Sequence, residues 1–146
     1  MTDLRKWILT ALVSLLLLPA WAGGRADTTY TFRFVPGDDM FYVPFGGNDR
    51  ELARLLECVR RNRDAILGGS LPLYVDGYCD SLDSEKENLR VAAVRSNRVK
   101  SELIVRQGLT EDCFVTENHS GGGDCVTVRI VIPTGRDDAE EARCPA

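Results

Sequence analysis

The chain has 146 residues, 44% of them apolar and 27% charged, and a net charge of −4. That length suits one domain built around a single core. The acidic balance excludes bulk attraction to nucleic acid or anionic lipid, so any ligand must be recognised locally.

Arg5 and Lys6 precede an apolar run from Trp7 to Leu18, and Pro19 leads to Ala20-Trp21-Ala22. A basic start, a short apolar stretch and a small-x-small site predict a secretory signal peptide over residues 1–22, cut after Ala22. The run is shorter than the roughly 20 residues a membrane span needs. No cysteine stands at the cut to take a lipid, so no membrane span or lipid anchor is expected after cleavage. Losing residues 1–22 removes Arg5, Lys6 and Asp3, a net +1, so −4 becomes −5.

Residues 23–28 read as a short polar leader. Tyr30, Phe32 and Phe34 then alternate with Thr31, Arg33 and Val35, the period-two pattern of a strand. Pro36-Gly37-Asp38-Asp39 predicts a turn, and Met40 to Val43 a short second strand closing a hairpin. Asn48 with Glu51 has capping-box spacing and predicts the start of a first helix. Leu52, Leu55, Leu56 and Val59 give that helix one apolar stripe, opposite a solvated face carrying Arg54, Arg60, Arg61 and Arg63. Gly68-Gly69 ends it. Leu71 to Tyr78 predicts a central strand. Ser84 with Glu87 predicts a second capping box, and Leu89, Ala92, Ser96, Val99 and Leu103 the buried stripe of a second, longer helix stopped by Gly108.

Cys113 to Thr116 reads as a short strand, and the glycine-rich stretch from His119 to Asp124 as a flexible loop. Val126, Val128, Ile130 and Ile132 alternate with Thr127 and Arg129 in a last strand ended by Pro133. Residues 134–146 read as an acidic, flexible tail. The predicted fold is therefore an α/β (α+β) two-layer sandwich over residues 29–133, in the order β-α-β-α-β-β, with two helices packed on one mixed sheet.

Cysteines stand at 58, 79, 113, 125 and 144. Export permits disulfides, and an odd number leaves at least one thiol unpaired in a monomer. No C-x-x-C spacing occurs and His119 is the only histidine. One or two disulfides are expected, with their connectivity open; no metal site and no cofactor are expected. Asp76, Asp80 and Asp83 read as a solvated acidic turn. No nucleophile stands beside a base, so no enzyme activity is expected.

The most informative stretch runs from Gly77 to Leu109. Asp80 lies in the turn between the central strand and the second helix, at the strand's carboxyl end, where α/β sheets place ligands. The helix start offers unpaired N–H groups to an anion. Arg95, fifteen residues after Asp80, supplies a planar fork for a carboxylate, and Asp80 an acceptor for an ammonium. Asn88, two turns before Arg95 and on nearly the same face, can bond the turn backbone or a ligand. The competing structural readings are turn capping for Asp80 and a salt bridge to a nearby acid for Arg95.

This stretch resembles the signature of the OmpA-like peptidoglycan-binding domain. That signature runs Gly-(His/Tyr)-Thr-Asp, a Ser, an Asn, then Leu-Ser-x-x-Arg-Ala, a Val and a closing Gly. Here the matching residues are Gly77-Tyr78-Cys79-Asp80, Ser84, Asn88, Ala92, Arg95-Ser96, Val99 and Gly108. The chain departs from it at Cys79 and Ser96, and at Asp124-Cys125-Val126, where the family often has Asn-Arg-Arg-Val. No run of alternating strands upstream suggests a barrel. The resemblance implies a stand-alone module in the periplasm, with outer-membrane association, that binds the diaminopimelate-type peptide stem of peptidoglycan without covalent chemistry. On that likeness Asp80 and Arg95 hold the amino-acid end, supported by Ser84 and Asn88. The alternative expectation is an envelope assembly or interaction subunit, with a protein partner, that kept the fold and lost the ligand.

Overall fold

The computed structural model describes residues 24–134 and 143–145. The predicted signal peptide and most of the predicted tail lie outside the described residues.

Alternating apolar residues build a sheet with one buried face. Strand β1 (Arg25–Arg33), strand β2 (Leu73–Cys79) and strand β3 (Phe114–Pro133) form one sheet in the order β1-β3-β2. β1 begins at Arg25, so most of the stretch read as a leader belongs to the sheet, pairing antiparallel with the end of β3 from Arg25↔Pro133 onward. β3 is long and doubles back around β2. Its first arm runs parallel to β2, from Leu73↔Phe114 to Cys79↔Ser120. Its second arm returns on the other side of β2, from Tyr78↔Cys125 to Tyr74↔Arg129. β2 is thus flanked on both sides, as a central strand should be.

The predicted loop from His119 to Asp124 is instead part of β3, and pairing continues to Cys79↔Gly121. Glycine makes this possible. Gly122 has φ +75°, and a Cβ there would stand 2.6 Å from Tyr78 Cδ1. A residue without a side chain can turn the strand over the end of β2 at this distance; others would collide with the Tyr78 ring.

The helices cover one face. Helix α1 (Asn48–Arg61) breaks at Asn62 and resumes as the short helix α2 (Arg63–Leu67), capped by Gly68. Helix α3 spans Glu85–Gln107. Between sheet and helices Tyr30, Phe32, Leu55, Val59, Val75, Val99, Val126, Val128 and Ile130 are fully buried. The opposite sheet face carries half-buried Tyr74, Asp76 and Tyr78. The expected mixed sheet with helices packed on one side is the architecture observed.

Three local expectations fail for identifiable reasons. Asn48 does not cap α1; Gly47 does, and the fully buried Asn48 amide accepts from Arg33 N at 2.8 Å and donates to the Arg33 and Tyr42 carbonyls. Its side chain fastens β1 to the following segment. Met40 to Val43 forms no strand, because this segment is held by side chains rather than by a ladder: Phe41 packs edge-on against Phe32 and stacks on Phe34. Leu89 is 38% exposed, and the buried stripe of α3 runs instead through Asn88, Val91, Ala92, Arg95, Ser96, Val99, Lys100 and Leu103. Two charged residues lie in that stripe, which an apolar-only template passes over.

The second capping box and the helix stop are as expected. Ser84 accepts from Glu87 N at 3.2 Å, and Gly108 caps the carboxyl end at φ +63°. The arginine face of α1 is solvated and paired: Arg60 and Arg61 share Glu57, and Arg54 meets Glu51. One disulfide, Cys58–Cys144, ties α1 to the end of the chain, leaving Cys79, Cys113 and Cys125 as free thiols.

Candidate functional site

The site forms where the carboxyl end of β2 meets the start of α3 and the glycine turn of β3. Gly77 permits the closeness of strand and helix. A Cβ there would lie 2.3 Å from the Ala92 carbonyl oxygen and 2.3 Å from Ser96 Oγ. Any side chain at this position would push α3 off β2, and with it everything α3 positions.

Asn88 and Ser84 brace the turn. Asn88 Oδ1 accepts from Leu82 N at 3.0 Å and from the Cys79 thiol at 3.3 Å, while its Nδ2 donates to Leu82 O. The Ser84 hydroxyl donates to Glu87 Oε2 as well as capping the helix. Both side chains are engaged with the turn and the helix start.

Asp80 is exposed at the rim, and its Oδ2 accepts from Gly123 N at 2.8 Å. Arg95 is fully buried. Its Nε donates to Asp38 O at 2.8 Å, Nη1 to Tyr78 O at 2.8 Å and to Asp124 Oδ1 at 2.9 Å, and Nη2 to Val35 O at 3.2 Å. The guanidinium also sits over the Phe34 ring, 5.1 Å from its centroid. Four of the five N–H donors of an arginine are therefore used within the protein. The carbonyls of Val35 and Asp38 come from the segment expected to form a hairpin. That segment leaves the sheet to wall in Arg95.

Asp80 and Arg95 thus meet consecutive residues of one turn, Gly123 and Asp124. Asp124 and Ser81 are members of the site that sequence reasoning did not assign. Ser81 Oγ donates to Asp124 Oδ1 at 2.6 Å and accepts from Gly37 N at 2.7 Å. Asp124 enters the second arm of β3, far in sequence from Arg95, and no local spacing pairs the two. On the rim, the Met40 N–H bond holds the Asp38 carboxyl below its ordinary range, helped by the Tyr42 hydroxyl. Burial pushes the Cys125 thiol up, which keeps it protonated and a poor nucleophile.

The arrangement is a set of fixed charges and hydrogen-bond partners gathered at one turn. It holds one exposed carboxylate at the rim and a buried guanidinium whose single carboxylate partner comes from the protein itself.

No family model and no curated protein matches the chain. Among solved structures, the fold is similar to that of an outer membrane protein from Borrelia burgdorferi B31. The two share 16% identity at a TM-score of 0.51, over 74% of this chain and 88% of that one. At this identity the likeness speaks for the fold. Among the described residues no helix is long and apolar enough to cross a membrane.

Proposed function

We propose that this chain is a cell-envelope module, exported to the periplasm, that binds the peptide stem of peptidoglycan non-covalently at the mouth formed by Asp80, Arg95, Asn88 and Ser84. The observation that supports this reading most is the convergence of Asp80 and Arg95 on Gly123 and Asp124. A zwitterionic amino-acid centre such as that of diaminopimelate needs an acceptor for its ammonium and a cation for its carboxylate, one beside the other. Asp80 offers the first at the rim. Arg95 offers the second once a ligand carboxylate replaces that of Asp124, a like-for-like exchange on Nη1.

The test is retention on purified sacculi of the wild type, Asp80→Asn and Asp124→Asn, each confirmed folded by thermal melting. Asp80→Asn should lose about 1–3 kcal/mol of binding, the usual contribution of a charged hydrogen bond. Asp124→Asn should bind at least as well as the wild type, because the internal competitor loses its charge. Equal retention of Asp80→Asn and wild type overturns the assignment.

A second reading is favoured by one specific observation, the complete enclosure of Arg95 among four protein acceptors. A guanidinium so engaged acts as a structural pin, and the domain then serves as an envelope interaction subunit. That reading expects no retention on sacculi by any of the three proteins while all remain folded.

A further inference from the structure

We propose that Asp76, Glu117 and His119 form a binding site for a divalent metal ion of the zinc class, on the open face of the sheet and away from Arg95. Glu117 and His119 stand two residues apart in the first arm of β3, so they share a face. Asp76 is the direct register partner of Glu117 across the ladder, and Tyr78 that of His119. Four side chains on two adjacent strands are brought together by pairing alone.

The distances suit a shared ion. His119 Nε2 lies 3.2 Å from Asp76 Oδ1 and 3.9 Å from Glu117 Oε2, and the three ligand atoms all fall within 4.8 Å of one another. Ligand atoms placed about 2.0–2.2 Å from a tetrahedral ion stand roughly 3.3–3.6 Å apart, so small rotations of the exposed Glu117 side chain complete the set. The imidazole is already oriented: the Tyr78 ring stacks on it at 4.8 Å and 18°. Two carboxylates converge on one ring nitrogen, and among the described residues no lysine or arginine pairs with either acid. A dication balances that charge.

The donor set decides the class. One imidazole nitrogen with two carboxylate oxygens suits zinc and its transition-metal neighbours, whereas calcium and magnesium take oxygen alone. Three protein ligands on an open face leave the fourth position to water. The site was invisible to a search by cysteine spacing, because its ligands come from two strands and include no thiol.

The experiment is a zinc titration of the full folded chain by calorimetry, repeated with cobalt to read the absorption spectrum. The expected result is saturable uptake of one ion, without the thiolate charge-transfer band that cysteine ligation would give. Loss of an outer partner alone weakens metal sites by about 10–100-fold, so Glu117→Gln and His119→Ala should weaken binding at least as much. Glu117→Gln is isosteric and highly exposed, so it leaves the fold intact and keeps the test decisive. Cys125→Ser should bind like the wild type. The proposal is overturned by no saturable uptake, by unchanged affinity in the two ligand variants, or by loss of uptake in Cys125→Ser.

Discussion

Replacing Arg95 separates a structural pin from a ligand grip. Arg95→Ala removes the fully buried member of an ion pair whose carboxylate, Asp124, is 16% exposed and keeps its Ser81 bond, and it strands the carbonyls of Val35, Asp38 and Tyr78. Breaking a buried pair from one side costs about 3–5 kcal/mol, and water entering the space left behind satisfies only part of the remainder. We expect a loss of about 4–5 kcal/mol, a large share of the roughly 5–15 kcal/mol that holds a domain folded. With a urea slope of about 1.5 kcal/mol/M for a domain of this size, the unfolding midpoint should fall by about 3 M. Arg95→Lys keeps the charge for Asp124, but an ammonium cannot span four acceptors set for a planar fork, so roughly half of that loss should remain. The assay is equilibrium urea unfolding followed by circular dichroism. A midpoint for Arg95→Ala within about 0.5 M of wild type would refute the reasoning. It would mean that the buried bonds contribute little and that Arg95 is held in place for a ligand. A binding defect in Arg95→Ala is therefore interpretable only beside its stability, whereas Asp80→Asn touches a single exposed bond and reports binding directly.

Three further outcomes are expected. Gly77→Ala should destabilise by about 1–3 kcal/mol or more, because its Cβ meets the α3 backbone at 2.3 Å; a thermal melt matching wild type would show that strand and helix can part freely. Reducing the Cys58–Cys144 bond, which closes a separation of 86 residues, should cost about 2–4 kcal/mol in urea unfolding, and thiol titration of the denatured chain should find three free thiols before reduction and five after it. Hydrogen bonds from Arg60 and then Arg61 lower the Glu57 carboxyl from 4.5 to about 2, so its contribution is present above pH 4.5 and lost as pH falls toward 2; Glu57→Gln should flatten that part of the acid-unfolding curve, and an unchanged acid limb would count against the pairing.

The legible parts of this fold were those encoded by local periodicity and by turn chemistry. Alternation placed the later part of β1 and the second arm of β3, apolar content between two helices placed β2, and Ser84 with Glu87 placed the start of α3. What escaped was chemistry between distant segments. Asn48 has the spacing of a cap, yet its amide serves β1 and Tyr42, fifteen and six residues away. The stretch from Met40 to Val43 has strand composition, yet its neighbourhood is shaped by Phe41 packing and by carbonyls turned inward to Arg95. The residues from His119 to Asp124 look like a loop because glycine is abundant, and glycine is what lets the strand continue there. Around the turn, Asp80, Ser84, Asn88 and Arg95 were legible as candidates. Asp124 and Ser81 were not, because no local pattern announces a partner that arrives from the far side of the sheet.

Asp124 sets a limit on how the proposed site can work. Its Oδ1 accepts from Arg95 and from Ser81, so a ligand carboxylate that enters must equal both bonds merely to break even. Exchange of one carboxylate for another on the same guanidinium yields little net free energy. The gain must come from the other end of the ligand, where Asp80 is exposed and its single described bond leaves lone pairs for an ammonium. Selectivity follows from that division. A simple carboxylate should compete poorly for Arg95, and a simple amine should find Asp80 without displacing anything. A molecule carrying both groups on one carbon is the ligand for which displacement of Asp124 and capture at Asp80 add. Competition on sacculi by diaminopimelate, acetate and a monoamine should therefore rank in that order of effect, first far above the other two; equal competition by all three would leave Asp124 as a permanent plug and the domain as an interaction module.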